Sequence, residues 1–189
     1  MLTAAPDAVS DLGPIDFPAA LSAVHFIKLD LRDAGGRSIS SNFYWRALPG
    51  DPDDLTALNQ LPLVKLTASV EVPKENAAGQ RRLRILLHNP TKSIALMAHV
   101  QLRRKSGERV LPVFYSDNYV SLVPGEAKAI EVEAAASDFK GEALLIVVDG
   151  WNVTVAPASF PGGSIAPNLD AQPDRWPATG LPVATTGLR

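Results

Sequence analysis

Between Leu61 and Val72 the chain reads LPLVKLTASVEV, and from Val64 onward its apolar residues fall on every second position. Val64, Leu66, Ala68, Val70 and Val72 alternate with Lys65, Thr67, Ser69 and Glu71. A two-residue period is what a half-buried β-strand requires, because successive side chains leave opposite faces of the pleat. The same period returns in VHFIKLDLRD (24–33), where His25, Ile27, Leu29 and Leu31 oppose Lys28, Asp30 and Arg32. It returns again in SIALMAHVQL (93–102), with Ile94, Leu96, Ala98, Val100 and Leu102 as an inward row and His99 in the outward set. No stretch keeps a 3.6-residue period long enough for a long helix, so the pattern restricts the fold class to all-β.

Turn chemistry separates these runs. AGGR (34–37), NPTK (89–92) and Pro124-Gly125 each supply a fixed or positive φ, and Asp149-Gly150 predicts a tight hairpin. LPGDPDDLTALNQL (48–61) reads as a long connection with one short helical turn around Leu55 and Leu58. About eight or nine consecutive antiparallel strands are expected between 24 and 155. Their simplest closure is a two-sheet antiparallel β-sandwich, with a barrel as the alternative. In 189 residues there is room for one such core. The expected organisation is an extended lead-in over 1–22, a sandwich over 23–156, and a Pro/Gly-rich tail over 157–189. That tail is either partly docked through Ile165, Leu169 and Trp176 or disordered.

Few chemistries fit. A formal charge of −2 offers no general attraction to a polyanion, and the basic pairs lack interleaved aromatics, so no nucleic-acid partner is expected. Cysteine is absent, which removes disulfides, thiolate metal sites and a cysteine nucleophile. The longest apolar run, ALLIVV (143–148), is too short to span a membrane, and the first twenty residues do not read as a signal peptide. His25, His88 and His99 form no ligand pair in sequence, so no metal is expected, and no Gly-rich phosphate loop or GxSxG elbow suggests a cofactor or a serine nucleophile. Glu131 and Glu133 share a strand face at a spacing compatible with paired carboxyl chemistry, but so do many solvated strand pairs, and no catalytic residue is assigned.

Two groups of residues remain as candidates. Tyr44, Trp45 and Trp151 are aromatic residues suited to an interdomain contact or to stacking on a sugar. Asp117, Asn118, Tyr119, Pro124 and Gly125, within VFYSDNYVSLVPGE (113–126), read as a structural corner in which short polar side chains satisfy backbone groups between strands.

SNFYWRA (41–47), LPLVKLTASV (61–70), FYSDNYVSLVPGEAKAIEV (114–132) and GWNV (150–153), in that order, resemble the immunoglobulin-like domain at the C-terminal end of glycoside hydrolase family 2 enzymes. The resemblance points to exo-β-D-glucosaminidases and mannosylglycoprotein endo-β-mannosidases, and it covers roughly 24–155. It implies an immunoglobulin-like sandwich whose partners are a catalytic (β/α)8 barrel and neighbouring sandwich domains of the same parent chain. The family's catalytic carboxylates lie in that barrel, which needs about 200 residues or more of alternating strand and helix that are not found here. The resemblance therefore implies a non-catalytic accessory domain, from a parent that is secreted or periplasmic, acting on mannose- or glucosamine-containing glycans. The alternative is an autonomous carbohydrate-binding module using exposed aromatics.

Overall fold

The computed structural model describes residues 7–11, 13–48, 50, 53–71, 74–75 and 79–159. The expectations for Val72 and for Ile165, Leu169 and Trp176 of the tail lie outside these residues. The chain divides into two compact units, Met1–Gln60 and Leu61–Arg189.

In the first unit, β1 (Val24–Arg32) and β2 (Ser38–Ala47) form an antiparallel hairpin. Asp33 closes it: its Oδ1 accepts the Gly35 and Arg37 N–H groups while Gly36 takes φ +82°. Phe26 pairs with Trp45 and Lys28 with Phe43 on one face; Ile27 pairs with Tyr44 and Leu29 with Asn42 on the other. Phe26 and Phe43 stack with centroids 5.6 Å apart. Residues 13–23 form no helix or strand, and Thr56–Gln60 make a 3-10 turn. Asp54 opens that turn by accepting both the hydroxyl and the N–H of Thr56, and these two bonds hold its carboxyl below the usual value.

The second unit carries nine short strands among its described residues. They are β3 (Thr67–Val70), β4 (Lys74–Glu75), β5 (Gln80–His88), β6 (Ala95–Arg104), β7 (Phe114–Tyr115), β8 (Val120–Leu122), β9 (Ala127–Ala135), β10 (Leu144–Asp149) and β11 (Ala156–Pro157). One sheet runs β3-β5-β9-β7 with β4 also on β5, the other β11-β10-β6-β8, and every strand pair is antiparallel. They face each other across one apolar core: Leu83, Ile85, Leu87, Ile130 and Val132 from the first, Val100, Leu102, Leu122, Ile146 and Val148 from the second. This is the all-β sandwich expected from the alternation.

Three details add to the sequence reading. First, among the described residues the 24–47 hairpin forms a two-stranded sheet of its own and the two facing sheets begin at Thr67. Alternation reports that a strand has an apolar face, not which sheet it joins. Second, β6 carries an irregularity between Ala95 and Ala98, with Met97 at φ +52°. The inward row therefore changes phase: Ala95, not Leu96, belongs to the core cluster, followed by Ala98, Val100 and Leu102. A single inserted residue in a strand has that effect. Third, Asp149-Gly150 does not close a two-residue hairpin, because six residues separate β10 from β11. A Cβ on Gly150 would lie 2.9 Å from the Met97 carbonyl oxygen, so glycine is needed here for close approach of two backbones.

Candidate functional site

The segment 113–126 carries the chain from one sheet to the other. β7 pairs with β9, and four residues later β8 pairs with β6. Such a crossing abandons backbone groups on the free edge of β6 unless something else bonds them. Asn118 does so: its Oδ1 accepts the Val100 N–H at 2.8 Å and its Nδ2 donates to the Val100 carbonyl at 3.0 Å. One turn of the strand further on, the Leu102 N–H donates to the Tyr115 hydroxyl at 3.1 Å. Burial of that hydroxyl pushes the Tyr115 pKa up, against the opposing effect of the Leu102 N–H. Ser116 locks the other sheet, its N–H donating to the Glu131 carbonyl and its Oγ accepting the Glu131 N–H. Asp117 accepts the Asn118 N–H and pairs with Lys128.

Tyr119 follows at φ +54°, a conformation rare for an aromatic residue. Its ring lies flat on His99, centroids 4.4 Å apart and planes 5° from parallel. His99 Nδ1 is 2.9 Å from Asp149 Oδ1, the Gln101 amide donates to Asp149 Oδ2, and Arg103 donates to Gln101 Oε1. A chain of polar contacts therefore fixes the Tyr119 ring, which is about half exposed, against β6.

Pro124 and Gly125, the latter at φ +77°, turn the chain into β9. This turn is tied to the residues after β5 by reciprocal backbone bonds, Asn89 N–H to Glu126 O and Gly125 N–H to Asn89 O. Asn89 itself is fully buried: its Nδ2 donates to Ser93 and Leu122 carbonyls, and its Oδ1 accepts the Thr91 N–H and hydroxyl. Asn152 plays the same part at the other end. Its Oδ1 accepts the Leu96 N–H and its Nδ2 donates to the carbonyls of Pro62 and Ile94. Sequence reasoning passed over both asparagines, although Asn89 opens the quoted turn NPTK and Asn152 sits in the quoted GWNV.

Trp151, beside Asn152, is 40% exposed and its backbone N–H donates to the Leu96 carbonyl. Tyr44 is exposed, whereas Trp45 is half-buried on the opposite face of the hairpin, so the two do not form one platform. Tyr44 and Trp45 thus belong to the first unit and Trp151 to the second.

No converging catalytic group appears among the described residues. Glu131 and Glu133 are each matched by an arginine of β5: Arg84 Nε is 3.3 Å from Glu131 and Arg82 Nε is 2.9 Å from Glu133. Both glutamates border a shallow cavity of about 370 Å³ on the outer face of their sheet, together with Arg82, Phe114 and Ser116. Glu142 accepts the Ser106 N–H, which with the Ser106 hydroxyl holds its carboxyl below the usual value at a turn. Among the described residues no cluster of three or more histidine or carboxylate groups could hold a metal ion, and no helix is long and apolar enough to cross a membrane.

A family model described as the exo-beta-D-glucosaminidase Ig-fold domain matches residues 42–153. The chain is similar to the exo-beta-D-glucosaminidase of Streptomyces avermitilis, 29% identical over 153 residues that cover 71% of this chain and 17% of that protein. It is similar also to the exo-beta-D-glucosaminidase of Arthroderma benhamiae, 31% identical over 69% of this chain and 16% of that protein. Among solved structures, the exo-chitosanase CsxA of Amycolatopsis orientalis superimposes with a TM-score of 0.65 at 28% identity, over 74% of this chain and 19% of the other. The chain therefore spans less than a fifth of the length of these relatives.

Proposed function

The chain belongs to the exo-beta-D-glucosaminidase Ig-fold domain family, and from that premise we propose that it is a non-catalytic accessory domain of a longer glycoside hydrolase acting on glucosamine-containing glycans. The Streptomyces avermitilis and Arthroderma benhamiae relatives are both exo-beta-D-glucosaminidases, so the mannosidase branch of the sequence reading is not carried forward. The observation that carries the accessory reading is how the polar groups are used. Asn89, Asn118 and Asn152 are spent on backbone groups of neighbouring segments, and the Glu131/Glu133 pair on a shared strand face is neutralised by Arg84 and Arg82. A glycosidase needs an unneutralised acid and base across a cleft, and a site preorganised for chemistry does not commit its donors to the fold.

In this reading the partners are a catalytic (β/α)8 barrel and the neighbouring sandwich domains of the parent chain. The hairpin is a suitable contact: Leu29 and Leu31 on one face are about half exposed, as is Tyr44 beside them, and a two-stranded hairpin is marginal without an apolar partner. The Trp45 face and the connection after β2 are the other contacts proposed.

The test is direct. The 189-residue chain is incubated with p-nitrophenyl β-D-glucosaminide and is expected to release no nitrophenol. The parent enzyme carrying the domain is expected to hydrolyse that substrate, and the parent lacking residues 61–159 to lose soluble yield or melt earlier. Turnover by the isolated chain that disappears in Glu131→Gln or Glu133→Gln would overturn the reading.

A further inference from the structure

The β1-β2 hairpin has two outer edges of different chemistry. The Leu48 N–H donates to the Ala23 carbonyl at 3.2 Å, so Ala23 and Leu48 form a bonded pair of the ladder. Bonded and unbonded pairs alternate between antiparallel strands. With Val24 opposite Ala47 and Leu29 opposite Asn42, the N–H groups of Asn42, Tyr44 and Arg46 therefore point to β1, and those of Ser41, Phe43, Trp45 and Ala47 point away from it. On β1 the residues whose backbone groups point outward are Val24, Phe26, Lys28 and Asp30.

Among the described residues neither edge is paired, because the hairpin is a sheet of two strands. Proteins ordinarily blunt an exposed edge with charge, proline or a bulge. The β1 edge is blunted in this way: Lys28, Asp30 and Arg32 follow one another at every second position, and Asp30 lies 3.9 Å from each cation. The β2 edge is not. Its one irregularity lies at the turn end, opposite Leu31 and Arg32, and from Ser40 to Ala47 it runs in register. Its outward positions, Ser41, Phe43, Trp45 and Ala47, carry no charge and no proline. A regular, uncharged edge of that kind is a template for another strand, and two strands by themselves are marginal in water.

We propose that the outer edge of β2 adds to a sheet of a neighbouring sandwich domain of the parent chain, through backbone pairing of Ser41, Phe43, Trp45 and Ala47 with a strand outside these 189 residues. Strand addition takes its affinity from main-chain bonds, which is what this edge offers. The proposal rests on the reading of the chain as a domain of a longer protein, and the chain spans less than a fifth of its relatives, which leaves ample polypeptide to supply the strand. A strand of the same polypeptide is favoured over a second copy because tethering raises its effective concentration.

The experiment compares amide hydrogen exchange along β2, at single-residue resolution, in the 189-residue chain and in the parent enzyme. In the parent the amides of Ser41, Phe43, Trp45 and Ala47 are expected to exchange as slowly as those of Asn42 and Tyr44, and about a hundredfold or more slower than in the isolated chain. Ser41→Pro removes one outward N–H at an exposed position, and is expected to lower the melting temperature of the parent while leaving that of the isolated chain nearly unchanged. Asn42→Pro removes an inward N–H and is expected to lower both. Outward amides that exchange quickly in the parent while Asn42 and Tyr44 stay protected overturn the proposal, as does a melting temperature that Ser41→Pro lowers no further in the parent than in the isolated chain. Equal protection in the isolated chain overturns it too, and identifies a second copy as the occupant where it grows with concentration. Failure of the accessory reading shows differently, as release of nitrophenol from p-nitrophenyl β-D-glucosaminide by the isolated chain.

Discussion

Asn118 lies against Val100 as a paired strand residue would, one side-chain amide supplying both the acceptor and the donor that the Val100 backbone requires. Val100 is fully buried, so no water substitutes if the amide is lost. Asn118→Ala is expected to cost about 2–4 kcal/mol, the penalty for two buried backbone groups left unbonded. Asn118→Asp keeps the acceptor but sets a carboxylate against the Val100 carbonyl, and should be at least as damaging at neutral pH. Urea unfolding of the three proteins checks this; a loss under about 0.5 kcal/mol for Asn118→Ala would mean the corner is held by other bonds.

Gly150 and Gly125 separate two reasons for glycine. At Gly150 an added methyl meets the Met97 carbonyl oxygen and Val153 Cγ2 at 2.9 Å and Ala98 Cα at 3.1 Å. Only the valine can rotate away, so Gly150→Ala is expected to cost about 1–3 kcal/mol through displaced backbone. At Gly125 the space is open and the cost is the left-handed φ of +77° alone, about 1–2 kcal/mol. Gly125→Asn, which tolerates that φ better than alanine, should recover part of the loss, whereas Gly150→Asn should be worse than Gly150→Ala. Melting temperatures of the four variants make the comparison.

What the sequence carried was the pattern and not the long-range bonds. Val64, Leu66, Val70, Ile130 and Val132 alternate as buried strands must, and they are buried. The phase change at Met97 is invisible because Ile94, Leu96 and Ala98 continue the alternation across it. Asn152 donates to Pro62 and its Oδ1 bonds Leu96, partners 90 and 56 residues away, so no local signal distinguishes it from a turn asparagine. The Asp117-Asn118 step is marked in the sequence because it interrupts two apolar runs, but the Asn118 bonds to Val100, 18 residues away, are not. Phe114 was read only as part of a strand, since exposure on an outer sheet face depends on β7 being an edge strand.

Tyr115 links the core to alkaline pH. Burial raises its hydroxyl pKa above the usual 10.0 even though the Leu102 N–H favours the anion. The folded protein therefore holds this proton after the unfolded chain has begun to release it, and the stability that follows is complete below pH 10 and is lost as pH rises through the folded pKa. Tyr115→Phe should lose stability at neutral pH, because the Leu102 N–H is left without its acceptor, but show a shallower decline above pH 10. Parallel declines in the two proteins would mean that Tyr115 ionises alike folded and unfolded.

The exposed apolar face of the hairpin carries the last prediction. Leu29 and Leu31 are about half exposed on the face that also presents Tyr44, and two strands alone bury too little to be stable in water. In the excised chain such a face favours self-association; in the parent it is proposed to meet another domain. The paired substitution Leu29→Lys and Leu31→Lys is therefore expected to act in opposite directions. It should raise the solubility of the 189-residue chain, because the exposed halves of the two leucines are removed and edge charge opposes pairing, and it should lower the melting temperature of the parent enzyme, where two lysines would enter an apolar contact. Sedimentation of the isolated chain and calorimetry of the parent measure the two effects. A parent whose melting is unchanged would show that this face stays in solvent there too, and the interdomain role would have to pass to the Trp45 face.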